Sequence, residues 1–326
     1  MKRRTLLASM AAVPFARRAR AQSRFSTAYE RARSLQQLNS LVISESATVV
    51  AAEALRGPAP DVPVDVRSVS KSVVASLVGI SIDRGELPGP EATLGEVAPR
   101  LLPAAVPRVT EITLGQLLSM RAGLEGTSGG NYGAWVESGD WITYALTRPF
   151  VAEPGGPMIY STGNTHVLGA VLTEVTGLSL LELARQRIGD PLDMQIPPWT
   201  RDPQGRYMGG NNMALSPLGM IRFGEAWRTD LGVVSRAWVH EAWTPQTQSR
   251  HSGVDYGYGW FITRMAEHEV VYARGYGGQM IWVIADLALT VAVTSDPNRP
   301  SGSSGYHDDL HRLVEHTILP EARSRA

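Results

Sequence analysis

The sequence predicts an α+β fold, in which one sheet is made from both ends of the chain and a mostly helical segment is inserted between them. Short β-rich runs bounded by turn residues occur near both ends, at residues 41–43, 48–54, 269–273, 279–285 and 287–294. Residues 86–200, in the middle, have apolar residues at helical spacing and loops rich in Gly and Pro. Strands at both ends with helices between them favour a single sheet that a helical segment interrupts.

The first 21 residues predict an export signal. They begin with a basic segment that contains Arg3 and Arg4, continue with an apolar stretch over residues 6–15, and end in Ala19-Arg20-Ala21. The apolar stretch is too short to span a bilayer and contains Pro14, so we expect no stable membrane anchor. The pattern Arg-Arg-x-Leu-Leu is similar to a twin-arginine signal, and an ordinary secretory leader is the alternative. Either one predicts an exported bacterial protein, periplasmic or secreted.

The charge and composition of the rest of the chain exclude several classes of protein. The sequence has 31 basic and 31 acidic side chains, and loss of the leader, which has six basic and no acidic ones, leaves a formal net charge of −6. At that charge we expect no nucleic-acid partner. The absence of cysteine excludes a disulfide, a thiolate nucleophile and a lipid-anchored cysteine.

Residues 22–326 predict one domain, because a chain of this length and apolar content can bury a single large core. We expect its sheet part to cover residues 22–95 and 200–326, and its helical part to cover residues 96–199.

The elements can be predicted in chain order. Residues 41–43 and 48–54 flank a polar turn and predict a hairpin. Residues 68–83 predict a buried helix, because their apolar positions recur at helical spacing and Gly85 follows as a C-terminal cap. Capping boxes, proline at a first helical position or apolar periodicity predict further helices at Thr113, residues 164–177, Ser179, Ser216-Pro217 and residues 306–321.

A long loop is predicted over residues 123–140, which contain several glycines. Loops of this length in compact domains are usually functional or disordered. Its aromatic residues Tyr132 and Trp135 are therefore candidates for substrate contact, with plain loop packing as the alternative. His166 is most simply interpreted as a core or cleft residue.

Lys71 is the most informative residue of the sequence. Apart from Lys2 in the leader, every other basic side chain among the 31 is arginine. Arg does not deprotonate in proteins, whereas a desolvated Lys can act as a general base, so the position that kept Lys needs a removable proton. Ser68 lies three residues earlier, which places its hydroxyl and the Lys71 amine on one face of the predicted helix. The sequence therefore predicts an enzyme built around a Ser/Lys pair.

Two further motifs fit this chemistry. Tyr160-Ser161-Thr162 precedes the predicted helix at residue 164, and a tyrosine there could relay a proton among Ser68, Lys71 and a leaving group. Gly275-Tyr276-Gly277-Gly278 lies between two β-rich runs, where a backbone N–H could complete an oxyanion hole. The plainer interpretations are a half-buried core tyrosine and a hairpin turn.

In this order and at this spacing, the three elements resemble the serine β-lactamase and penicillin-binding-protein superfamily, specifically the branch of class C β-lactamases, serine esterases and 6-aminohexanoate-dimer hydrolases. The resemblance runs from about residue 41 to residue 294. Its motifs are Arg67-Ser-Val-Ser-Lys-Ser72, Thr113-Leu-Gly-Gln-Leu-Leu-Ser-Met-Arg-Ala-Gly-Leu124, Tyr160-Ser-Thr-Gly-Asn-Thr-His-Val-Leu-Gly169 and Tyr256-Gly-Tyr-Gly-Trp260. It implies a β-lactamase/transpeptidase-like fold, with an antiparallel sheet flanked by helices.

The resemblance also implies roles for individual residues. Ser68 would be the acylated nucleophile, Lys71 its general base and Tyr160 the proton shuttle, and the backbone N–H groups of Ser68 and Gly278 would form the oxyanion hole. Thr162, Tyr276 and Gly277, with the loop residues Tyr132 and Trp135, are the candidates for substrate binding. Water would clear the acyl-enzyme, and no metal or organic cofactor is required.

Departures from the family pattern narrow the expected substrate. Thr162 stands where many relatives have Asn, and Gly275-Tyr276-Gly277 stands where they carry Lys or His before Thr-Gly. That cation helps such enzymes hold a substrate carboxylate, so its loss argues against penicillins and D-Ala-D-Ala peptides. Arg274 is adjacent, but strand side chains alternate faces, so it need not replace the charge. We expect a small or medium ester or amide.

Other interpretations remain open. A D-Ala-D-Ala peptidase or weak β-lactamase is the enzymatic alternative, and a non-catalytic relative that binds a cell-wall fragment or a partner protein is the alternative of another class. Gly126-Thr127-Ser128-Gly129-Gly130 matches the nucleophile elbow of α/β-hydrolases but lacks the strand before it and the helix after it. His307 and His311 have metal-site spacing, yet we expect solvated histidines on an exposed terminal helix.

Overall fold

The computed structural model describes residues 25–323, so the predicted export signal at residues 1–21 lies outside the described residues. An eight-stranded antiparallel sheet joins the two ends of the chain, in the order β2-β1-β10-β9-β8-β7-β6-β5. Its strands are β1 (Leu38–Glu45), β2 (Thr48–Ala54), β5 (Thr247–Gln248), β6 (Asp255–Tyr256), β7 (Phe261–Met265), β8 (His268–Gly275), β9 (Gln279–Ile284) and β10 (Leu289–Ser295). Because β1 pairs with β10, the prediction of a sheet made from both ends is confirmed.

Helices cover both faces of the sheet and fill the middle of the chain. They are α1 (Ser26–Ser34), α2 (Ser70–Asp83), α3 (Leu94–Val97), α4 (Leu114–Leu118), α5 (Tyr132–Val136), α6 (Trp141–Leu146), α7 (Thr162–Thr176), α8 (Leu180–Ala184), α9 (Pro217–Arg228), α10 (Arg236–Trp243), α11 (Tyr306–Leu313) and α12 (Leu319–Arg323). The segments Arg185–Gly189 and Val314–Ile318 are π-helical turns that continue α8 and α11. The predicted α+β class, an antiparallel sheet flanked by helices, is confirmed.

Both faces of the sheet are buried, which explains why its central strands are continuous apolar runs. In β1, Val42 belongs to the core between the sheet and helices α2 and α9, while Leu41 and Ile43 belong to the core under α1 and α11. A strand with one solvated face would alternate apolar and polar residues, whereas a strand covered on both faces does not.

Most predicted helices are present, with local capping as expected. The side chains of Thr113 and Ser179 accept hydrogen bonds from the N–H groups of Gln116 and Glu182, and both capping boxes are complete. The helix predicted at residues 164–177 begins two residues earlier and ends at Gly177, which has φ +70°. Local sequence signals therefore located these helix ends to within about two residues.

The predicted loop over residues 123–140 is partly wrong. It contains a 3₁₀ turn, Gly129–Asn131, followed by the short helix α5. The helix was missed because five residues provide no readable periodicity, and tertiary packing rather than propensity stabilises so short a helix. The strands β5, β6 and β7 and the helix α10 were also not predicted.

A separate two-stranded pair brings the middle of the chain to the start of α2. Strand β3 (Val64–Asp65) pairs with β4 (Ala214–Leu215), and the N–H of Val66 donates to the carbonyl of Met213 at 2.9 Å. The N–H of Met213 in turn donates to the Ser70 hydroxyl at 3.1 Å. Residues 209–213 are thereby fixed beside the N-terminus of α2.

Within residues 25–323, no single helix is long and apolar enough to cross a membrane. One pair of consecutive helical segments, Thr162–Thr176 and Leu180–Gly189, reaches the length and apolar composition of a membrane span only when the two are counted together. A bend of 89° separates them.

Candidate active site

Ser68 lies in a strained turn at the start of α2. It belongs to the 3₁₀ turn Arg67–Val69, and Arg67 has φ +51°, a left-handed conformation that is uncommon for a residue with a side chain. Two contacts hold this conformation: the Arg67 N–H donates to Asp65 Oδ1 at 2.8 Å, and the Arg67 carbonyl accepts from the Ser70 hydroxyl at 2.5 Å. The half-buried Ser68 hydroxyl is therefore presented at a helix N-terminus by a rigid turn.

Lys71 lies one helical turn further on and is almost completely buried, with 2% of its surface exposed. Its Nζ is 3.0 Å from Ser68 Oγ, 3.2 Å from Thr162 Oγ1 and 2.7 Å from the Gly210 carbonyl. Burial without a neighbouring carboxylate lowers the pKa of the Lys71 amine to about 7. Near neutral pH the Lys71 amine is therefore neutral in a large fraction of the protein molecules, and in that form it can accept the Ser68 proton.

Tyr160 closes the other side of this pair. Its ring centroid is 5.0 Å from Lys71 Nζ, and its hydroxyl forms a hydrogen bond with Ser68. Burial raises the pKa of Tyr160 above its usual value, although the hydrogen bond with Ser68 and the charge of Arg274 oppose the shift. A neutral phenol in contact with Ser68 and close to Lys71 can donate a proton to a leaving group and recover one from its neighbours.

Thr162 links the pair to the loop before α5. Its hydroxyl, which accepts from Lys71, is 2.9 Å from Ser128 Oγ, and its N–H donates to the same Ser128 oxygen at 2.9 Å. Ser128 is half-buried, whereas Thr162 is buried. A shorter side chain than Asn therefore still contacts the amine, and Ser128 fills the remaining space.

The predicted oxyanion hole needs one correction. The N–H of Gly278 donates to the Gly275 carbonyl at 3.1 Å, closing a turn in which Gly277 has φ +83°, as the third position of a type II turn requires. Because that donor is already used, Gly278 does not stabilise an oxyanion. Among residues 25–323, the backbone N–H groups of Ser68 and Tyr276 have no hydrogen-bond partner.

Tyr276 follows Gly275, which packs against the turn before Ser68. A Cβ on the preceding residue, Gly275, would overlap the Val66 carbonyl oxygen, so the end of β8 lies directly against the turn that carries Ser68. The backbone N–H groups of Ser68 and Tyr276 are therefore the candidate oxyanion donors, in place of the predicted pair Ser68 and Gly278.

The four remaining substrate-binding predictions separate into two groups. Tyr276 is 53% exposed and Tyr132 is half-buried, with its hydroxyl accepting from Asn211 Nδ2 at 3.0 Å, so both have surface that a substrate can contact. Trp135 has 0% exposure and donates its indole N–H to the Trp141 carbonyl at 2.9 Å, so its predicted substrate contact is wrong. Gly277 accepts from the buried Gln37 side chain at 2.9 Å and holds the turn.

Arg274 forms no hydrogen bond or ion pair with Ser68 or Lys71 in the described residues, although its charge acts on Tyr160. Its guanidinium lies over the Phe261 ring at 4.7 Å and is 3.4 Å from His307 Nε2, on the face of β8 opposite to that of Gly275. Within the described residues, Lys71 is the only cationic side chain that forms a hydrogen bond with Ser68.

The expectation of solvated histidines is wrong. His307 and His311 are partly buried, with their Nε2 atoms 3.1 Å apart, and the His311 ring lies 4.9 Å from the Tyr272 ring. Burial, followed by nearby charge, lowers the pKa of His307 to about 4 and that of His311 to about 3. The terminal helix covers the second face of the sheet, so its histidines pack inward. In residues 25–323 no group of three His, Cys, Asp or Glu side chains could hold a metal ion.

The alternative nucleophile Ser128 has no nucleophile elbow around it. The residues before it form no strand, and its hydroxyl is bound to Thr162. Sequence reasoning missed Ser128 as a site residue because it lies in a pattern typical of another fold. It also missed Gly210 and Asn211, for which the run Gly209-Gly210-Asn211-Asn212, rich in turn residues, was the available signal.

The fold and the site together define a serine hydrolase of the β-lactamase fold. A model of the Beta-lactamase family matches residues 39–316, and the chain belongs to that family. No curated protein sequence matches the chain.

Several solved structures share the fold at low sequence identity. EstCE1, a hydrolase with promiscuous acyltransferase activity, is 17% identical with a TM-score of 0.73, over 90% of this chain and 99% of that one. A D-stereospecific amidohydrolase from Streptomyces sp. is 17% identical with a TM-score of 0.70, over 90% of this chain and 98% of that one. A Bacillus anthracis protein to which 6-aminohexanoate-dimer hydrolase activity is assigned is 16% identical with a TM-score of 0.73, over 89% and 80%.

Proposed function

We propose that the chain hydrolyses a small or medium ester or amide through an acyl-enzyme on Ser68. The observation that carries this proposal is the environment of Lys71. Its buried amine lies 3.0 Å from the Ser68 hydroxyl, has a pKa of about 7, and forms no ion pair within residues 25–323. A structural lysine would be paired or solvated, whereas a general base must be neutral and in contact with the proton it removes.

The proposed reaction has two halves. Lys71 accepts the Ser68 proton while Ser68 Oγ forms a bond to the carbonyl carbon, and the oxyanion receives hydrogen bonds from the N–H groups of Ser68 and Tyr276. The bond to the leaving group then breaks, and the leaving group takes a proton through Tyr160, which recovers one from Lys71. In the second half, water gives a proton to the same groups and forms a bond to the acyl carbon. The bond from that carbon to Ser68 Oγ then breaks, Ser68 Oγ takes the proton back, and the carboxylic acid is released.

The substrate class follows from what surrounds Ser68. A substrate carboxylate needs a cation, and Arg274 is engaged with Phe261 and His307 on the other face of β8. The half-exposed rings of Tyr132 and Tyr276 favour instead an uncharged group beside the scissile bond. A hydrolase and a D-stereospecific amidohydrolase among the structural neighbours fit an ester or amide substrate.

We also propose that the protein acts after export, with a small-molecule substrate and without a nucleic-acid partner. Support comes from the export-signal pattern of residues 1–21 and from the net charge of −6 that its removal leaves. Fractionation of a producing bacterium tests this: activity in the periplasm or medium is expected, and activity confined to the cytoplasm contradicts it.

The first experiment is hydrolysis of p-nitrophenyl butyrate, with Ser68→Ala as the control. We expect turnover that the substitution abolishes, a loss of at least about 1,000-fold. Equal turnover by both proteins would show that the nucleophile is another residue. Turnover of a D-Ala-D-Ala peptide but not of the ester would replace the esterase with a peptidase, and specific binding of a cell-wall fragment without turnover would support a non-catalytic relative.

A further inference from the structure

A buried His–Asp pair lies behind the segment that contacts Lys71. His166 has 0% exposure and the Asp202 side chain is also completely buried, and their Nε2 and Oδ2 atoms are 3.2 Å apart. The other ring nitrogen, His166 Nδ1, accepts the backbone N–H of Gly209 at 3.2 Å. The next residue, Gly210, supplies the carbonyl at 2.7 Å from Lys71 Nζ.

These contacts fix the tautomer of the imidazole. Because a backbone N–H can only donate, Nδ1 must be unprotonated and the proton must be on Nε2, directed at Asp202. Asp202 also accepts the backbone N–H of Arg206 at 2.7 Å. Although burial opposes the charged form, the hydrogen bonds from His166 and Arg206 lower the pKa of the Asp202 carboxyl. The carboxylate therefore remains an acceptor, and Nδ1 remains free to accept from Gly209.

The Gly209-Gly210 segment packs closely against α7, with no room for a side chain at either residue. A Cβ on Gly209 would overlap the Thr165 carbonyl oxygen, and one on Gly210 would lie 2.9 Å from Thr165 Cβ. The segment thus lies directly on α7, with His166 anchoring one end and Lys71 contacting the other.

We propose that His166 and Asp202 are positioning residues, which hold the Gly210 carbonyl against Lys71 and thereby set how readily that amine gains and loses its proton. Only hydroxyl groups and one aromatic ring share this environment: Ser68 from the turn before α2, Thr162 from α7 and Tyr160 before α7. No acidic or basic side chain in the described part of the chain contacts Lys71. The Gly210 carbonyl is the closest acceptor to the Lys71 amine. Displacement of this carbonyl therefore removes a hydrogen bond that favours the ammonium form of Lys71. The inference rests on the proposed function only in that Lys71 is the base.

Two substitutions separate the two functions of the imidazole. In His166→Asn the amide oxygen reaches the place of Nδ1 and can still accept from Gly209, whereas in His166→Gln the amide reaches the place of Nε2 and contacts only Asp202. Both variants lose the same ring contacts with Trp135 and Trp141, which lie 5.8 and 5.5 Å away. We therefore expect the two variants to lose similar amounts of stability but to differ in the pKa of Lys71.

A third variant keeps the ring and its packing. In Asp202→Asn the amide can donate to Nε2, which lets the proton move to Nδ1 and places it against the Gly209 N–H. This variant guards the test against a failure of His166→Gln to fold, because Asn is the same size as Asp.

The direct readout is the pKa of Lys71, which this chain makes accessible. In a chain that carries Lys2→Arg, Lys71 is the only lysine, so lysine labelled with ¹³C at Cε gives one NMR signal whose shift can be titrated. We expect the pKa of Lys71 to fall by about one unit in His166→Gln and Asp202→Asn and to stay unchanged in His166→Asn. We also expect a loss in kcat of about tenfold, with little change in KM, in the first two variants only.

The outcomes distinguish the inference from the proposed function. An unchanged or raised pKa of Lys71 in His166→Gln and Asp202→Asn, with melting temperatures close to that of His166→Asn, would overturn the positioning role. A pKa that falls as expected in a protein with no esterase or amidase activity would uphold the positioning role and overturn the proposed reaction instead.

Discussion

Two clusters of titratable side chains lie against opposite faces of strand β8, and only one of them is arranged for chemistry. Gly275 on one face contacts the turn that carries Ser68, and Arg274 on the other contacts His307. Burial depresses the pKa of Lys71 in the first cluster and of His307 and His311 in the second. A depressed pKa is therefore not sufficient to identify a site in this molecule.

The difference lies in the hydrogen-bond partners. In the histidine cluster the two Nε2 atoms face each other at 3.1 Å, so one imidazole donates to the other, and Arg274 lies 3.4 Å from His307 Nε2. In the Lys71 cluster the amine contacts the Ser68 hydroxyl, the proposed nucleophile, and the N–H groups of Ser68 and Tyr276 have no partner in the described part of the chain. Unused donors beside a nucleophile are the feature that distinguishes a reactive site from a packed one.

The two clusters can be compared by exchanging the basic residue of each one. We expect the largest change in activity from this exchange. Lys71→Arg keeps the charge but removes the ability to deprotonate, so we expect activity on p-nitrophenyl butyrate to fall nearly as far as in Ser68→Ala, by at least about 1,000-fold. Arg274→Lys is the matched control: it keeps the positive charge that acts on Tyr160, so it should keep most of the activity. Near-normal turnover by Lys71→Arg would rule out the general-base role.

Removal of the Tyr276 N–H, the second oxyanion donor that we propose, should give the next largest loss of kcat. Proline fits the second position of a type II turn, so Tyr276→Pro removes one N–H while the turn between β8 and β9 is preserved. We expect kcat to fall by about 100-fold or more, the usual cost of one oxyanion donor. Tyr276→Ala keeps the N–H and serves as the control, with a change mainly in KM. Equal values of kcat for the two variants would mean that the donor lies elsewhere.

Substitutions in the histidine cluster should change the free energy of unfolding but not kcat. Their effect on activity is therefore the smallest of the three predictions. The unfolded chain binds protons on these histidines below about pH 6.5, whereas folded His307 and His311 bind them only below about 4 and about 3. The unfolding free energy therefore falls as the pH is lowered from about 6.5 towards 4. A double variant, His307→Gln with His311→Gln, should show a flatter dependence in urea unfolding and unchanged kcat. A dependence as steep as that of the unsubstituted protein would contradict the burial of these rings.

Much of the site could be predicted from the sequence because its main residues lie at the starts of helices. Ser68 and Lys71 share a helical face at a spacing of three, and Tyr160 precedes a helix with clear apolar periodicity, so local signals located all three. The structure brings the three side chains together. Their pairing across 90 residues followed from the family resemblance and not from periodicity.

The remaining features depend on long-range packing or on backbone direction. Gly210 and Ser128 reach Lys71 and Thr162 from loops, and nothing in their local sequence indicates which helix they contact. The donor Gly278 was misassigned because the turn type, and not the presence of glycine, decides which N–H is free. The inward packing of His311 was missed because an amphipathic terminal helix does not reveal whether a sheet face is available to cover.

The central claim is that Ser68 is acylated with Lys71 as its base, and labelling with a p-nitrophenyl alkylphosphonate tests it most directly. Mass spectrometry of the labelled protein should show one adduct, on Ser68, and the rate of labelling should rise as the pH passes through about 7, where Lys71 loses its proton. The same reagent should leave Lys71→Arg essentially unlabelled. An adduct on another residue, or labelling of Lys71→Arg at an undiminished rate, would contradict the account.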